Sequence, residues 1–481
     1  MTKDFVEVRR GAYHDSVTLM RVSRALAERD GVTAAQTAMA TELNLELIEG
    51  LGFAIPEGTG PNDLVVTVRA ADDGALAEAR TALEALLSEA AAPAEPSGAA
   101  PPPHTVGAAA AGSTLALISV PGPYAFVEAM DALTAGLNVM LFSDNVPVEQ
   151  EIALKDAAAR LDLLVMGPDC GTAVVGGVGL GFANAVRPGP VSLVAASGTG
   201  TQQILSLLDE AGVGVRHALG VGGRDLSAEV SGRSTLQAMA ALDADPDTEL
   251  ILIVSKPPAP QVGELVRSAA ARLATPTVFA LLGEGRPDLT TAVESVLQTL
   301  DRPIPRWRAQ LPDVTRPVPA GGELRGFFVG GTLCDEAMLI AAERLGPIRS
   351  NIPLRPEWTL DGPGHSMIDF GDDSLTQGRP HPMIDPTLRL ERLAALDDAC
   401  GVVLLDVVLG HGAEPDPAAA LAPLIETLKV PVVVSLCGTD ADPQNRGRQA
   451  EQLWKAGAAV FASNAAAARH AVALIEGNRD V

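Results

Sequence analysis

Aromatic side chains are scarce, at 3% of 481 residues, so the chain has few rings on which bases could stack. Positive charge is short as well. Against 60 Asp and Glu stand only 35 Lys and Arg, and the formal charge of -25 repels a phosphate backbone instead of neutralising it. Nucleic acid is thereby excluded as the expected partner. Cysteine occurs four times, as Cys170, Cys334, Cys400 and Cys437, with no CxxC and no Cys/His pair at metal-ligand spacing. Neither a disulfide framework nor a zinc site is indicated, and no residue is assigned to a metal. Apolar runs long enough to cross a membrane are missing, and the start, MTKDFVEVRRG, has no apolar stretch after its basic residues. A cytoplasmic protein without a membrane partner is expected.

What is abundant is small and aliphatic: 47% of the residues are hydrophobic, mostly Ala, Val and Leu, with 47 glycines. That suits β-α units, and the length suits several of them. Residues 1–87 read as a small α/β module. Residues 88–112 are Ala, Pro and Gly without periodicity, a linker composition. From 113 to 300 short β-rich runs alternate with amphipathic helices, the pattern of doubly wound, mostly parallel sheets. The Pro-rich stretch 301–323 reads as a second linker, and a further α/β unit fills 324–481. The fold class is therefore α/β, with tandem Rossmann-like or flavodoxin-like domains behind the small module.

In such sheets ligands bind where strands hand over to helix N-termini. Three junctions qualify. VSLVAASGTGTQ offers an anion site at Ser197, Gly198, Thr199, Gly200 and Thr201, from backbone N–H groups, a helix dipole and hydroxyls. VVLLDVVLGHG offers Gly410 and Gly412, with His411 available to titrate. FVGGTLCD offers Gly330, Gly331 and Thr332 to a nucleotide or acyl tail. No GxxxxGK[ST] occurs. The irregular segment 362–389 collects His365, Asp369, Arg379, His381 and Asp385 among glycines and prolines. His381, between Pro380 and Pro382, is the first choice there for general base, ahead of His365. Arg379 would fork to a substrate carboxylate, while Asp369 and Asp385 would orient the imidazole or hold a cation.

The order of elements resembles succinyl-CoA synthetase. ISVPGPYAFVEAMDALTAGLNVMLFSDNVP, GPDCGT, VSLVAASGTGTQQI and GVGVRHALGVGGRDL are similar to successive segments of its α subunit, and residues from about 324 to 475 to the last domain of its β subunit. That fusion, the N-terminal module and the segment GRPHPMIDP together resemble the FdrA family, which is acyl-CoA-synthetase-like and associated with oxamate carbamoyltransferase of allantoin breakdown. The resemblance implies two helix N-termini facing one phosphate, placed at Ser197–Gly198–Thr199–Gly200–Thr201 and Gly410–His411–Gly412. It also implies partner subunits or a homo-oligomer, and CoA or an acyl or carbamoyl phosphate as ligand, with room for a divalent cation. Two departures matter. The stretch VFALLGEGRPDLTTAV, which matches the synthetase's phosphohistidine loop, has no histidine, and VSKPP puts Lys256 where the synthetase has a carboxylate. The resulting expectation is a carbamoyl or acyl transferase subunit using an acyl phosphate. The alternatives are an acyl-CoA ligase subunit using CoA and a non-catalytic scaffold subunit.

Overall fold

The computed structural model describes residues 2–14, 16–56, 58–90, 103–376 and 380–477. The first unit is β1 (Lys3–Arg9), α1 (Ser16–Ala27), β2 (Val32–Met39), α2 (Glu42–Gly50), β3 (Leu64–Ala70) and α3 (Asp73–Ala90). Strand β3 lies between β1 and β2, antiparallel to both. Its alternation is read on both faces: Leu64, Val66 and Val68 pack with Leu19, Val22 and Leu83, while Val65 meets Ile48 and Phe53. Helix α3 continues past the expected module end to Ala90, and residues 91–102 of the expected linker lie outside the described residues.

A parallel three-stranded unit follows: α4 (Val106–Ala109), β4 (Leu115–Ile118), α5 (Gly122–Thr134), β5 (Asn138–Leu141), α6 (Val148–Leu161) and β6 (Val165–Met166). The next unit contains β7 (Thr172–Val175), β8 (Val178–Gly181), β9 (Val191–Ala196), α7 (Gly198–Glu210), β10 (Val215–Gly220), α8 (Arg233–Asp243), β11 (Leu250–Ser255), α9 (Pro260–Ala270), β12 (Thr277–Leu281) and α10 (Leu289–Thr299). Its sheet order is β12-β11-β9-β10-β7-β8, parallel except that β7 runs antiparallel to both β10 and β8. The span 113–300 thus holds two sheets. Buried Lys155 of α6 ties them, donating to Glu151, to Asp225 and to the Val221 carbonyl.

The last unit is β13 (Ala309–Gln310), β14 (Glu323–Phe328), α11 (Gly331–Leu345), β15 (Ser366–Asp369), α12 (Asp373–Thr376), α13 (Thr387–Ala394), β16 (Cys400–Val408), α14 (Pro417–Thr427), β17 (Val432–Cys437), α15 (Arg446–Lys455), β18 (Ala458–Phe461) and α16 (Asn464–Ile475). Its order is β13-β18-β17-β16-β14-β15, parallel apart from β13. The Pro-rich stretch read as a linker has no buried residue but runs against the surface of the last unit, with Trp307 and Val318 partly packed on its core. It supplies edge strand β13, and Arg316 donates to the Ala456 carbonyl.

The two six-stranded units share one core. Leu205 and Leu208 of α7 and Val293 and Leu297 of α10 lie in the same buried cluster as Leu333 and Met338 of α11 and Ala468 and Ala471 of α16. A fully buried aliphatic side chain contributes about 1.5–3 kcal/mol, so this seam is fixed and does not act as a hinge. The seam decides the site, because α7 and α11 meet across it at their N-terminal ends.

Candidate functional site

Strand β9 is buried throughout, and Ser197 follows it in extended conformation as the N-cap of α7. The Ser197 hydroxyl accepts from Gly200 N at 3.0 Å, and Thr201 donates to the Ser197 carbonyl at 2.5 Å. Opposite stands Gly330, N-cap of α11, which has no side chain to cap its helix. The turn is held from behind instead. Buried Asp406, on β16, accepts from Val329 N at 2.8 Å and from Gly330 N at 2.9 Å. Buried Arg389 in turn donates to the Asp406 carbonyl at 2.7 Å.

The two helix ends touch. The Ser197 and Thr332 hydroxyls are hydrogen-bonded at 2.7 Å, and a Cβ on Gly330 would come within 2.8 Å of the Thr199 side chain. On Gly331 a Cβ would meet Asp369 Oδ2 at 2.5 Å and Lys256 Nζ at 2.9 Å. One cleft therefore gathers Ser197, Gly198, Thr199, Gly200, Thr201, Gly330, Gly331, Thr332, Lys256 and Asp369. Sequence reasoning missed two further members, Asp335 and Asp169. Asp335 lies one turn into α11, 3.8 Å from Lys256 Nζ, and Asp169 lies in the GPDC turn after β6. The GPDC motif was visible, but its role follows only from the packing of the second unit on the third.

Lys256 directly follows β11 with its side chain 43% exposed, so a ligand can reach it. Burial works to lower its pKa, but Asp335 and Asp369 outweigh that and hold it above the usual lysine value. The carboxyls move the other way. Burial pushes Asp369 up to about 7 and Asp335 up to about 6, with Lys256 pulling both down. Asp169 is solvent-accessible yet enclosed by the cleft; that enclosure, with neighbouring Asp144 and Asp373, holds it at about 7. Such carboxyls exchange protons near neutrality, as an acid or base must.

The remaining residues lie elsewhere or serve structure. Gly410 and Gly412 do not start a helix: α14 begins only at Pro417. Gly410 N donates to Gln444, and the backbone N of exposed His411 donates to the Ala183 carbonyl, so these N–H groups are already used. Thr199 and Gly330 face each other where Gly410 and Gly412 were expected. His365 precedes β15, at the opposite end of that strand from Asp369, and its Nδ1 accepts from Leu324 N. Asp385 accepts from Thr387 N and hydroxyl in a local turn. Arg379 lies outside the described residues. His381 borders the cleft, since a Cβ on Gly371 would stand 2.9 Å from its Nε2 and 3.2 Å from Asp369 Oδ1. Burial without a charged partner pushes its imidazole down to about 4, however, and Nδ1 accepts from Met383 N. A neutral histidine already engaged on one nitrogen is a wall and a weak base, and the groups beside it that titrate near neutrality are the aspartates.

Two ligands can be tested against this shape. A phosphoryl group suits two adjoining helix starts with a lysine beside them. CoA suits the second unit less well. Its first strand-to-helix junction has Pro121 at the N-cap and Pro123 in the first turn, which withdraws N–H donors, and the Asp144–Asn145 backbone stands 2.6 Å or less from any Cβ at Gly122. Among the described residues no group of three or more His, Cys, Asp or Glu is arranged to hold a metal ion. Among them also, no helix is long and apolar enough to cross a membrane.

The glycines of α7 separate two effects. A Cβ on Gly200 would collide with Ser197 Oγ and lie 2.9 Å from the Thr332 methyl, whereas Gly198 has only Thr172 Oγ1 nearby, at 3.8 Å. Gly200→Val is thus expected to lower stability by about 1–3 kcal/mol, from overpacking at the α7–α11 contact. Gly198→Ala should leave the unfolding midpoint nearly unchanged while weakening phosphate binding. Denaturant unfolding and phosphate calorimetry on both variants check this.

Comparison with known proteins gives the site a context. Residues 1–102 match the family described as AllF, heavy metal-associated domain, and residues 327–474 the family CoA-ligase. The chain is 37% identical to YahF of Escherichia coli (strain K12), over 95% of this chain and 96% of that one. It is 28% identical to the malate–CoA ligase subunit alpha of Methylorubrum extorquens, over 32% of this chain and 54% of that subunit. Identity is also 28% to the ADP-forming succinate–CoA ligase subunit alpha of Aquifex aeolicus, over 30% and 48%. The chain spans about half the length of those ligase subunits.

Proposed function

This chain belongs to the FdrA family, shared with YahF, and from that premise we propose that it is an acyl-transfer subunit of CoA-ligase type whose reacting group is an acyl phosphate held between α7 and α11. The observation that carries the reading is the Ser197–Thr332 contact. It fixes two helix N-termini against each other with Lys256 and Asp369 at their mouth. In this reading N–H groups of Gly198, Thr199, Gly331 and Thr332 bind phosphoryl oxygens, and Lys256 neutralises their charge. Asp369 or Asp169, titrating near neutral pH, hands a proton to the leaving group when protonated or takes one from the acceptor when ionised. No phosphohistidine takes part, because the stretch between β12 and α10 carries none.

The acyl acceptor is left to two readings. CoA is favoured by the CoA-ligase match, and a carbamoyl group moving to or from phosphate by the missing histidine and the proline-blocked α5. Thermal shift decides between them. CoA-dependent stabilisation supports the first, and stabilisation by carbamoyl phosphate without any by CoA supports the second. Failure of acetyl phosphate, carbamoyl phosphate and CoA alike would contradict both.

The aspartates impose a pH dependence. Asp369 and Asp169 have folded values near 7, above the ordinary carboxylate value, so they bind more protons folded than unfolded. Their contribution to stability is complete at low pH and is lost as pH rises through about 7. The same protonation removes negative charge facing a bound anion. Affinity for inorganic phosphate is therefore expected to rise between about pH 8 and about pH 6, as read by calorimetry. Asp369→Asn should flatten that slope.

A further inference from the structure

Residues 1–102 match a heavy metal-associated domain, yet they contain no cysteine, and their only described histidine before the fourth helix's approach is His14. Soft metal ions are held by thiolates and imidazoles in sets of two or more, so these residues do not fit such an ion. The four cysteines of the chain all lie at position 170 or beyond, and all are buried.

What the module does have is a docking contact. Arg24, in the last turn of α1, donates to the Ile384 carbonyl and at 3.0 Å to Glu414 Oε1. Glu414 is itself fastened to the same strap, its N donating to the Met383 carbonyl. Ile384 N and Asp385 N both donate to the His381 carbonyl, and Met383 N donates to His381 Nδ1. The strap Pro380–His381–Pro382–Met383–Ile384 is thereby folded into one turn, with Met383 and Ile384 buried. Its His381 ring stands against Gly371 beside Asp369, at the wall of the cleft. A second tether is the Tyr13 hydroxyl, which donates to the Ser119 carbonyl at 2.6 Å.

We infer that the N-terminal module is a metal-free docking module whose Arg24 pins the His381 strap against the cleft, making Arg24 a positioning residue for a site it does not touch. The sequence shows the module only as set off by a linker composition; the Arg24 contacts show where it engages. The charge is placed for this. Burial works to lower the Arg24 pKa, but its hydrogen bonds to Glu28 and Glu414 hold it above the usual arginine value, so the guanidinium stays charged. The inference does not depend on which acyl phosphate or acceptor the cleft takes.

Hydrogen exchange on the full-length protein tests it. A charge-assisted hydrogen bond contributes enough that its loss should speed local opening about tenfold or more. In Arg24→Ala, exchange at Met383, Ile384 and Asp385 should rise by about that factor, and phosphate affinity should fall with it. Glu28→Ala removes only the local partner, one residue beyond α1, and should match the unaltered protein at those amides. Unchanged exchange at the strap in Arg24→Ala would overturn the inference. So would one stoichiometric equivalent of Zn(II) or Cu(I) bound on dialysis and lost in His14→Ala; the expected result is no such equivalent.

Discussion

Asp406→Ala is expected to lower the unfolding free energy by about 3–5 kcal/mol, the cost of leaving a buried charge without its partner. Arg389 is 3% exposed and Asp406 is 0% exposed, so water does not replace the missing carboxylate. The same substitution leaves Val329 N and Gly330 N without their acceptor. Because those two N–H groups set the turn that begins α11, phosphate binding should be lost together with stability. Asp406→Asn keeps the shape but not the charge, and should fall between the two in denaturant unfolding. A stability within about 0.5 kcal/mol of the unaltered protein for Asp406→Ala would show that the turn is held by packing alone.

Lys256→Met is expected to weaken phosphate and acetyl phosphate binding by about 30-fold to several hundred-fold, since removing one partner of a close charge pair costs about 2–4 kcal/mol. Stability should change little by comparison, because the side chain is 43% exposed and Met retains most of its stem. Loss of the cation also removes what pulls Asp335 and Asp369 down, so both should hold their protons to higher pH. Calorimetric titration of each anion into the variant reads the first effect. Carboxyl titration followed by NMR reads the second.

Much of the fold was legible because parallel sheets write themselves plainly. Strands β9, β11, β16 and β17 are predominantly apolar runs buried at every position, each followed by a helix. Packing of the Pro-rich stretch was not legible, because two residues pairing with β18 leave no periodicity to read. The anion junction at Ser197 could be read from its strand, glycines and hydroxyls. Its counterpart was harder, since both β14 and β16 end in glycine motifs. The distinction was nevertheless present in spacing: α11 starts at Gly331, directly after β14, whereas β16 ends at Val408 and α14 waits until Pro417.

The preference for histidine over aspartate had a different source. An imidazole titrates near neutrality in water and a carboxyl does not, so residue type alone favours His381. Burial reverses the order by disfavouring the charged form of each, moving His381 down to about 4 and Asp369 up to about 7. That reversal depends on what packs around each group, and the partners of Asp369, namely Lys256 and Asp335, come from β11 and α11, far apart in the chain.

The most direct measurement is a crystal structure of the protein with acetyl phosphate or inorganic phosphate bound. The account predicts phosphoryl density between Thr199 and Gly331, within hydrogen-bond reach of their backbone N–H groups and of Lys256 Nζ. Density at Gly410 and His411, or at the start of α5, with the α7–α11 cleft empty, would contradict it.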